Sequence, residues 1–364
     1  MKPLETLSQR AGQMIIAGIE GTTLTKETEQ LIRDCQVGGI ILFSRNYENP
    51  EQLFQLVRDL QKLANEVSPD WPLFISVDQE GGKVIRLSEP FTQFPEAGCL
   101  GIADSHELAY QFGMALGKEL SAIGINMNYA PVLDVNTNPD NPIIGMRALS
   151  DDPLRVGVLG LALLNGMQDH GVLAVGKHFP GHGNTKQDSH LELPTVDRDK
   201  ATLEQVELAP FSHSIQNGLK AIMTAHVVYP AWDKKLPATF SEKILKQVLR
   251  KQLQFDGLLI SDDLEMKAIE DQYEFDKLAG MGVWAGLDIF MVCNNPDRVR
   301  ILHESIMAGI RSRAINPDSV HMTIDRIERI KAALPPFPKK APSFDDWSEE
   351  HTRLAEKMAG FLSS

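Results

Sequence analysis

Cysteine is scarce in this sequence: Cys35, Cys99 and Cys293 are the only three in 364 residues. Their wide spacing excludes a disulfide scaffold and matches no metal-binding pattern. They read as buried thiols of a reducing compartment, and the cytoplasm is the expected location. Long hydrophobic runs are missing too. No stretch approaches the length of a membrane span, and the N-terminal MKPLETLSQRAGQM lacks the apolar core of a secretory signal. Cations are in deficit, with 36 Lys and Arg against 49 Asp and Glu and a formal net charge of -13. That balance excludes a general affinity for nucleic acid or anionic membrane. It leaves room for one anionic substrate held by a few local cations. No repeat and no Pro/Ser-rich linker divides the chain.

Hydrophobic residues make up 43% of the chain and charged residues 23%. That is enough apolar material for a large core without metal or disulfide support. Short β-rich runs occur at 14–19, 38–44, 73–78, 125–134, 172–179, 221–229, 257–263 and 288–293. Several are nearly continuous apolar stretches, as suits strands buried on both faces. Helical patterns lie between them at 50–66, 105–122, 152–169, 202–217, 241–253, 275–285 and 297–313. The first starts after Asn49-Pro50, with Pro at a first-turn position. Eight β-then-α units predict a single (β/α)8 TIM-type barrel over residues 1–334. A doubly wound sheet would need fewer strands or a second domain. Residues 335–364 read as a Pro-rich segment and then a C-terminal helix, packed on the barrel or trailing from it.

A barrel of this kind places its chemistry at the C-terminal ends of the strands. Those ends read Asp78-Gln79-Glu80, Asp134, Lys177-His178, His226, Ser261-Asp262-Asp263 and Cys293-Asn294. The densest segment is GKHFPGHGNTKQDSH, 176–190. Asp188 and His190 sit two apart, so the carboxylate can bind one ring nitrogen and leave the other free for proton transfer. His178 and His182 read equally as loop scaffolding, a role favoured for His182. In LLISDDLEM, 258–266, Asp262 ends a strand where a barrel presents a nucleophile. Asp263 reads as a helix cap or a supporting residue. In VDQEGGKVIRL, 77–87, Asp78 suits sugar hydroxyls and Arg86 suits carbonyls and carboxylates, while Glu80 reads as half of a surface ion pair. In NPIIGMRALS, 141–150, Arg147 either meets substrate or anchors its loop through an ion pair.

A metal site is not expected. His178 and His182 are four apart, but chelation at that spacing needs a helix, and Pro180 with two Gly precludes one. The segment 180–190 has little apolar anchoring after Phe179 and Pro180. It is expected to move when ligand is absent and to close over substrate.

KHFPGHG followed by the Asp-Ser-His at 188–190, with DQEGG at 78–82 and SDDLEM at 261–266, resembles glycoside hydrolase family 3. More narrowly, it is similar to the β-N-acetylhexosaminidases of that family that recycle bacterial peptidoglycan. The resemblance runs from about residue 10 to 330. It implies Asp262 as nucleophile, His190 as general acid/base and Asp188 as its partner. It places Asp78, Arg86, Arg147, Lys177 and His178 around the N-acetylglucosamine of the first subsite, with His226 nearby. Met146 stands where the family usually has an acidic residue, Lys83 where Arg is common, and Glu265 where a small residue is common. None of these departures removes a catalytic group.

The resemblance implies a retaining exo-β-N-acetylglucosaminidase that needs no metal or organic cofactor. Its substrate would be a small glycan, an N-acetylglucosaminyl-muramyl saccharide or muropeptide, and the enzyme a monomer with no nucleic-acid or membrane partner. A histidine acid/base shuttles a proton near pH 7 and does not repel an anionic aglycone as a second carboxylate would. Three alternatives remain open at this point. They are a phosphorylase on the same fold, catalysis by the substrate's own acetamido group, and a non-catalytic sugar-binding barrel.

Overall fold

The computed structural model describes residues 4–69, 71–186, 188, 189, 192–343 and 347–362, and for residues 4–6 the backbone alone. Eight parallel strands close into a barrel. They are β1 (Ile15–Gly18), β2 (Gly39–Leu42), β3 (Phe74–Val77), β4 (Met127–Asn128), β5 (Leu173–Phe179), β6 (Ala221–Thr224), β9 (Leu258–Asp263) and β10 (Ile289–Val292). The remaining two, β7 (Val228–Tyr229) and β8 (Asp233–Pro237), form a small antiparallel pair outside it. Neighbouring staves follow chain order around the ring, and β10 closes on β1 with Phe290 opposite Ile15. The barrel is a (β/α)8 TIM-type fold, as its runs of apolar strands predict. Those strands are buried from end to end, apart from the half-buried Asp262 and Asp263.

Asx-Pro pairs start four of the surrounding helices. Asn49, Asp152, Asn295 and Asn316 each accept a first-turn backbone N–H on the side chain. The proline that follows each occupies the first turn, where no N–H is required. The helix Pro317–Lys331, opened by the last of these, was not among the predicted elements, and neither was the helical segment 26–35.

Three predicted elements are shorter than their sequence patterns. Residues 125–134 give only the two-residue β4, because Pro131 has no N–H to offer a ladder and Asp134 is drawn to the loop after β5. Residues 221–229 leave the barrel after Thr224 and join the β7–β8 pair. The predicted helix 202–217 splits into Lys200–Gln205 and Leu208–Gln216. Pro210 cannot donate to the Val206 carbonyl, so the first helix ends there and Pro210 falls in the opening turn of the second.

Beyond the barrel, Phe337 packs on Phe54 with ring centroids 5.0 Å apart. The helix Ser348–Gly360 lies against the helices Gly98–Ala103 and His106–Ala122. Its buried His351 bonds Glu119 through Nδ1 at 2.7 Å, and the same carboxylate accepts the Thr92 N–H at 3.0 Å. Among the described residues, no helix is long and apolar enough to cross a membrane.

The N-terminal end of the barrel is tied by one fully buried carboxylate. Asp288, just before β10, accepts Arg250 at 2.6 Å, the Leu259 N–H at 2.9 Å, Thr323 at 2.8 Å and Arg326 at 3.0 Å. It thereby joins two outer helical segments to β9. Removing one partner of a buried ionic cluster leaves uncompensated charge and typically costs about 3–5 kcal/mol. Asp288→Ala is expected to lose stability on that scale in urea titrations, while molecules that remain folded keep their kcat, because this end of the barrel is remote from the strand ends that carry the chemistry.

Candidate active site

Two staves carry a register irregularity, and both lie toward the C-terminal rim. Between β5 and β6, Gly176 pairs with Ile222 but Phe179 with Thr224, so three steps along β5 match two along β6. The extra residue falls at Lys177–His178. Between β9 and β10, Ile260 pairs with Ile289 but Asp263 with Met291, and the extra residue falls at Ser261–Asp262. Bulges of this sort re-aim side chains and recur beside active sites. The Ser261 hydroxyl accepts the Met291 N–H at 2.9 Å, where the irregular ladder leaves that donor without a backbone acceptor.

Glu80 is the centre of the polar cluster. It follows β3 in the tight turn Glu80–Val84, where positive φ at Gly81 and Gly82 favours glycine. The sequence reading of Glu80 as half of a surface ion pair is corrected: the side chain is 5% exposed. Arg147 arrives from the loop after β4 and binds both carboxylate oxygens, each at 2.9 Å. Lys177 lies 2.5 Å from Glu80 and 2.7 Å from Asp78. Arg86 stands 3.8 Å from the other Asp78 oxygen, and its backbone N–H is held by the Gln79 side chain at 2.9 Å. Burial works to raise the Glu80 carboxyl. Lys177 and Arg147 outweigh it and hold the group well below the usual carboxylate range. Arg147 does form the loop-anchoring ion pair that was one of its two readings.

Asp134, fully buried, organises the rim after β5. Its Oδ1 accepts the backbone N–H of His178 at 3.1 Å and of His182 at 2.6 Å, and its Oδ2 takes His178 Nδ1 at 2.7 Å. Burial opposes its ionisation, but His178 prevails and lowers its pKa. An ionised carboxylate only accepts, so Nδ1 of His178 carries the hydrogen and Nε2 is the nitrogen left for other partners. Sequence reasoning noted Asp134 as a strand end and gave it no role. The missed signal was its place among strand-end residues that all serve one face.

His182 is enclosed by Thr185 at 2.9 Å and Ser189 at 3.1 Å. Burial, aided by the neighbouring His178, lowers its pKa to about 4, so it is neutral scaffolding at pH 7. The expectation of a poorly anchored loop is corrected for its described first half. Asn141 holds the carbonyls of His182 and Gly183 at 3.0 and 3.1 Å, Asn138 holds that of Thr185, and Tyr229 holds that of Gly181. The anchoring is polar, which a count of apolar residues does not see. Asp188 is half-buried and its carbonyl accepts the Glu192 N–H at 3.0 Å. His190, the expected acid/base, lies outside the described residues.

At the end of β9 the half-buried Asp262 receives the Asp263 N–H on Oδ1 at 2.8 Å. Burial acts to raise its pKa, yet His226, His178, that N–H and Lys177 together lower it, so it stands ionised. Asp263 behaves oppositely. Burial, with Glu265 and Asp262 nearby, raises it to about 7. Glu265 accepts the N–H groups of Asn294 and Asn295 at the start of the helix Pro296–Ser312. His226, expected beside the substrate, is 1% exposed and spends both ring nitrogens on protein, at Thr239 and at the Asp263 carbonyl. Among the described residues, no group of three or more His, Cys, Asp and Glu side chains is arranged to hold a metal ion.

An ionised carboxylate, a Lys–Asp–Arg cluster and an oriented imidazole thus lie together on one rim of a parallel barrel. Residues 6–330 match the glycosyl hydrolase family 3 N-terminal domain, and the chain belongs to that family and is a glycoside hydrolase. It is 41% identical over 288 residues to a beta-hexosaminidase of Hydrogenovibrio crunogenus, covering 78% of this chain and 79% of that one. A family 3 beta-N-acetylglucosaminidase from Paenibacillus sp. superposes with a TM-score of 0.91 at 39% identity, covering 98% of this chain and 68% of that chain. NagZ from Neisseria gonorrhoeae, solved with N-trifluoroacetyl-D-glucosamine, gives a TM-score of 0.73 at 36% identity, covering 88% and 98%.

The Glu80 cluster generates a pH test. A carboxylate whose folded pKa is depressed contributes stability above its unfolded pKa and loses that contribution as pH falls toward the folded value. Glu80→Gln is therefore expected to be destabilised by about 3–5 kcal/mol at pH 7. The gap to the parent should narrow below about pH 4.5, the ordinary Glu range. Thermal unfolding measured across pH checks both the size and the sign.

Proposed function

We propose that this glycoside hydrolase is an exo-β-N-acetylglucosaminidase. It removes terminal N-acetylglucosamine from peptidoglycan-derived saccharides or muropeptides in the cytoplasm, with retention of configuration. The observation that carries this reading is Asp262: an ionised, partly accessible carboxylate at the bulged end of β9, next to a cluster suited to sugar hydroxyls. The beta-hexosaminidase and N-acetylglucosaminidase relatives support the choice of sugar.

In this reading Asp262 attacks the anomeric carbon and forms a covalent glycosyl-enzyme. His190, oriented by Asp188, gives a proton to the departing oxygen and then takes one from water. Asp78 accepts a sugar hydroxyl. Lys177 has three N–H groups; Asp78 and Glu80 take two, and the third serves the substrate. His178 offers Nε2, and Arg86 binds the polar substituents. Arg147 acts mainly through Glu80, which it holds in place for Lys177. No metal takes part.

Aryl β-N-acetylglucosaminide should be turned over far faster than aryl β-glucoside, because a site that binds the acetamido group is left with unpaired polar groups when it is missing. Equal turnover would overturn the choice of sugar. Asp262→Asn should be inactive on every glycoside. His190→Ala should spare the first step on nitrophenyl substrates, whose leaving group needs no proton, and lose about 10²–10⁴-fold on disaccharides; the second step should be slow for want of a base, so the glycosyl-enzyme accumulates. Azide should rescue it as the β-glycosyl azide, an outcome read by NMR of the product. Equal loss on both substrate types without azide rescue would remove His190 from this role.

A further inference from the structure

Thr224 and Ser261 form the last paired rung between β6 and β9. His226 and Asp263 each lie two residues beyond it. There the backbone ladder stops as residues 225–227 turn away toward β7, while the Ala225 N–H completes the β5–β6 ladder on the Phe179 carbonyl. The Asp263 carbonyl is left at the barrel mouth. Met266 N–H fills one of its lone pairs at 3.1 Å, and His226 Nε2 fills the other at 3.0 Å. The imidazole thus ties the segment departing from β6 to the backbone just after Asp262.

A carbonyl only accepts, so Nε2 carries a hydrogen. Nδ1 lies 2.7 Å from the Thr239 hydroxyl, which also lies 3.1 Å from the Ala225 carbonyl and 2.9 Å from Thr224 Oγ1. If the Thr239 hydrogen points at Nδ1, the ring is neutral. If it points at Ala225, Nδ1 can hold a second proton and donate it to Thr239. The Nε2–H bond to Asp263 persists in both states.

The residue held in this way is the one that follows Asp262. Its N–H reaches back to Asp262 Oδ1, its carbonyl is taken by His226, and its own Oδ1 accepts the N–H groups of Glu265 at 3.1 Å and Cys293 at 3.3 Å. The N–H, the carbonyl and Oδ1 of Asp263 are thus each engaged, and the Asp262 carboxylate takes its orientation from that anchored amide. We propose that His226 is a positioning residue for the nucleophile, acting through the Asp263 carbonyl. The proposal rests on the reading of Asp262 as nucleophile.

The test compares His226→Gln, His226→Asn and Thr239→Val with the parent. Each is treated with a 5-fluoro-β-N-acetylglucosaminyl fluoride, and covalent labelling is timed by intact mass. Inhibition by free N-acetylglucosamine reports first-subsite binding, and thermal unfolding reports folding. The Gln amide extends to the Nε2 position and can donate to the Asp263 carbonyl; the Asn amide is too short. His226→Asn should label slower by on the order of 10²-fold, the cost of a misplacement of about 1 Å, with inhibition by N-acetylglucosamine unchanged. His226→Gln should recover most of that rate, and Thr239→Val should fall between. Parent-like labelling of His226→Asn, failure of Gln to improve on Asn, or inhibition that weakens in step with labelling would each overturn the proposal. If neither His226 variant folds, Thr239→Val decides alone: slowed labelling supports the proposal and parent-like labelling overturns it. Labelling of the parent at a residue other than Asp262 would instead overturn the nucleophile reading beneath it.

Discussion

A single buried carboxylate holds the working face together. Glu80 takes Arg147 on both oxygens and Lys177 on one, so a turn after β3, a loop after β4 and the rim of β5 converge on one negative charge. None of these cations would stay buried without it, since an unpaired buried charge is costly. Lys177 in turn sets Asp78, and Asp78 faces Arg86. The groups that would meet a sugar are thus arranged by a group that need not meet it. Desolvation offsets much of the attraction within such a cluster, so its net contribution to stability is smaller than its contacts suggest.

The two adjacent aspartates show how neighbours in sequence acquire different chemistry. Asp262 keeps partial access to the site, an N–H on one oxygen and cationic groups nearby, and it is held ionised. Asp263 turns toward Glu265 and Cys293 and is raised to about 7. Their surroundings thus push the two carboxyl groups in opposite directions, one held ionised and the other raised.

Much of the barrel was legible because strands buried on both faces leave near-continuous apolar runs, and because charged residues at their ends stand out against that background. Asp262 and Lys177-His178 were visible for this reason. Glu80 was misread because burial is a long-range property. In a Gly-rich turn a Glu looks exposed, and nothing local announces that an arginine 67 positions away will cover it. His226 was read beside the substrate; its contacts to Thr239 and the Asp263 carbonyl come from residues 13 and 37 positions away, which no local pattern announces. The helix Pro317–Lys331 did carry its signal, Asn316-Pro317 followed by Val320, Ile324 and Ile327 on one face. The first half of the loop after β5 looked loose because its anchors, Asn138, Asn141 and Tyr229, are polar and distant in sequence.

The bulges at Lys177–His178 and Ser261–Asp262 divide the barrel into two phases. Below them the alternation of side chains follows the register of the neighbouring staves and serves packing. Above them the count is offset by one, so a residue that would face the surrounding helices can face the mouth. The lower barrel is therefore constrained by packing and by the ties to Asp288, while the upper rim is keyed to an odd residue in two separate strands. A change of length within either strand would act as a phase error, exchanging which side chains look into the mouth and which look out, with the closed ring of strands still intact.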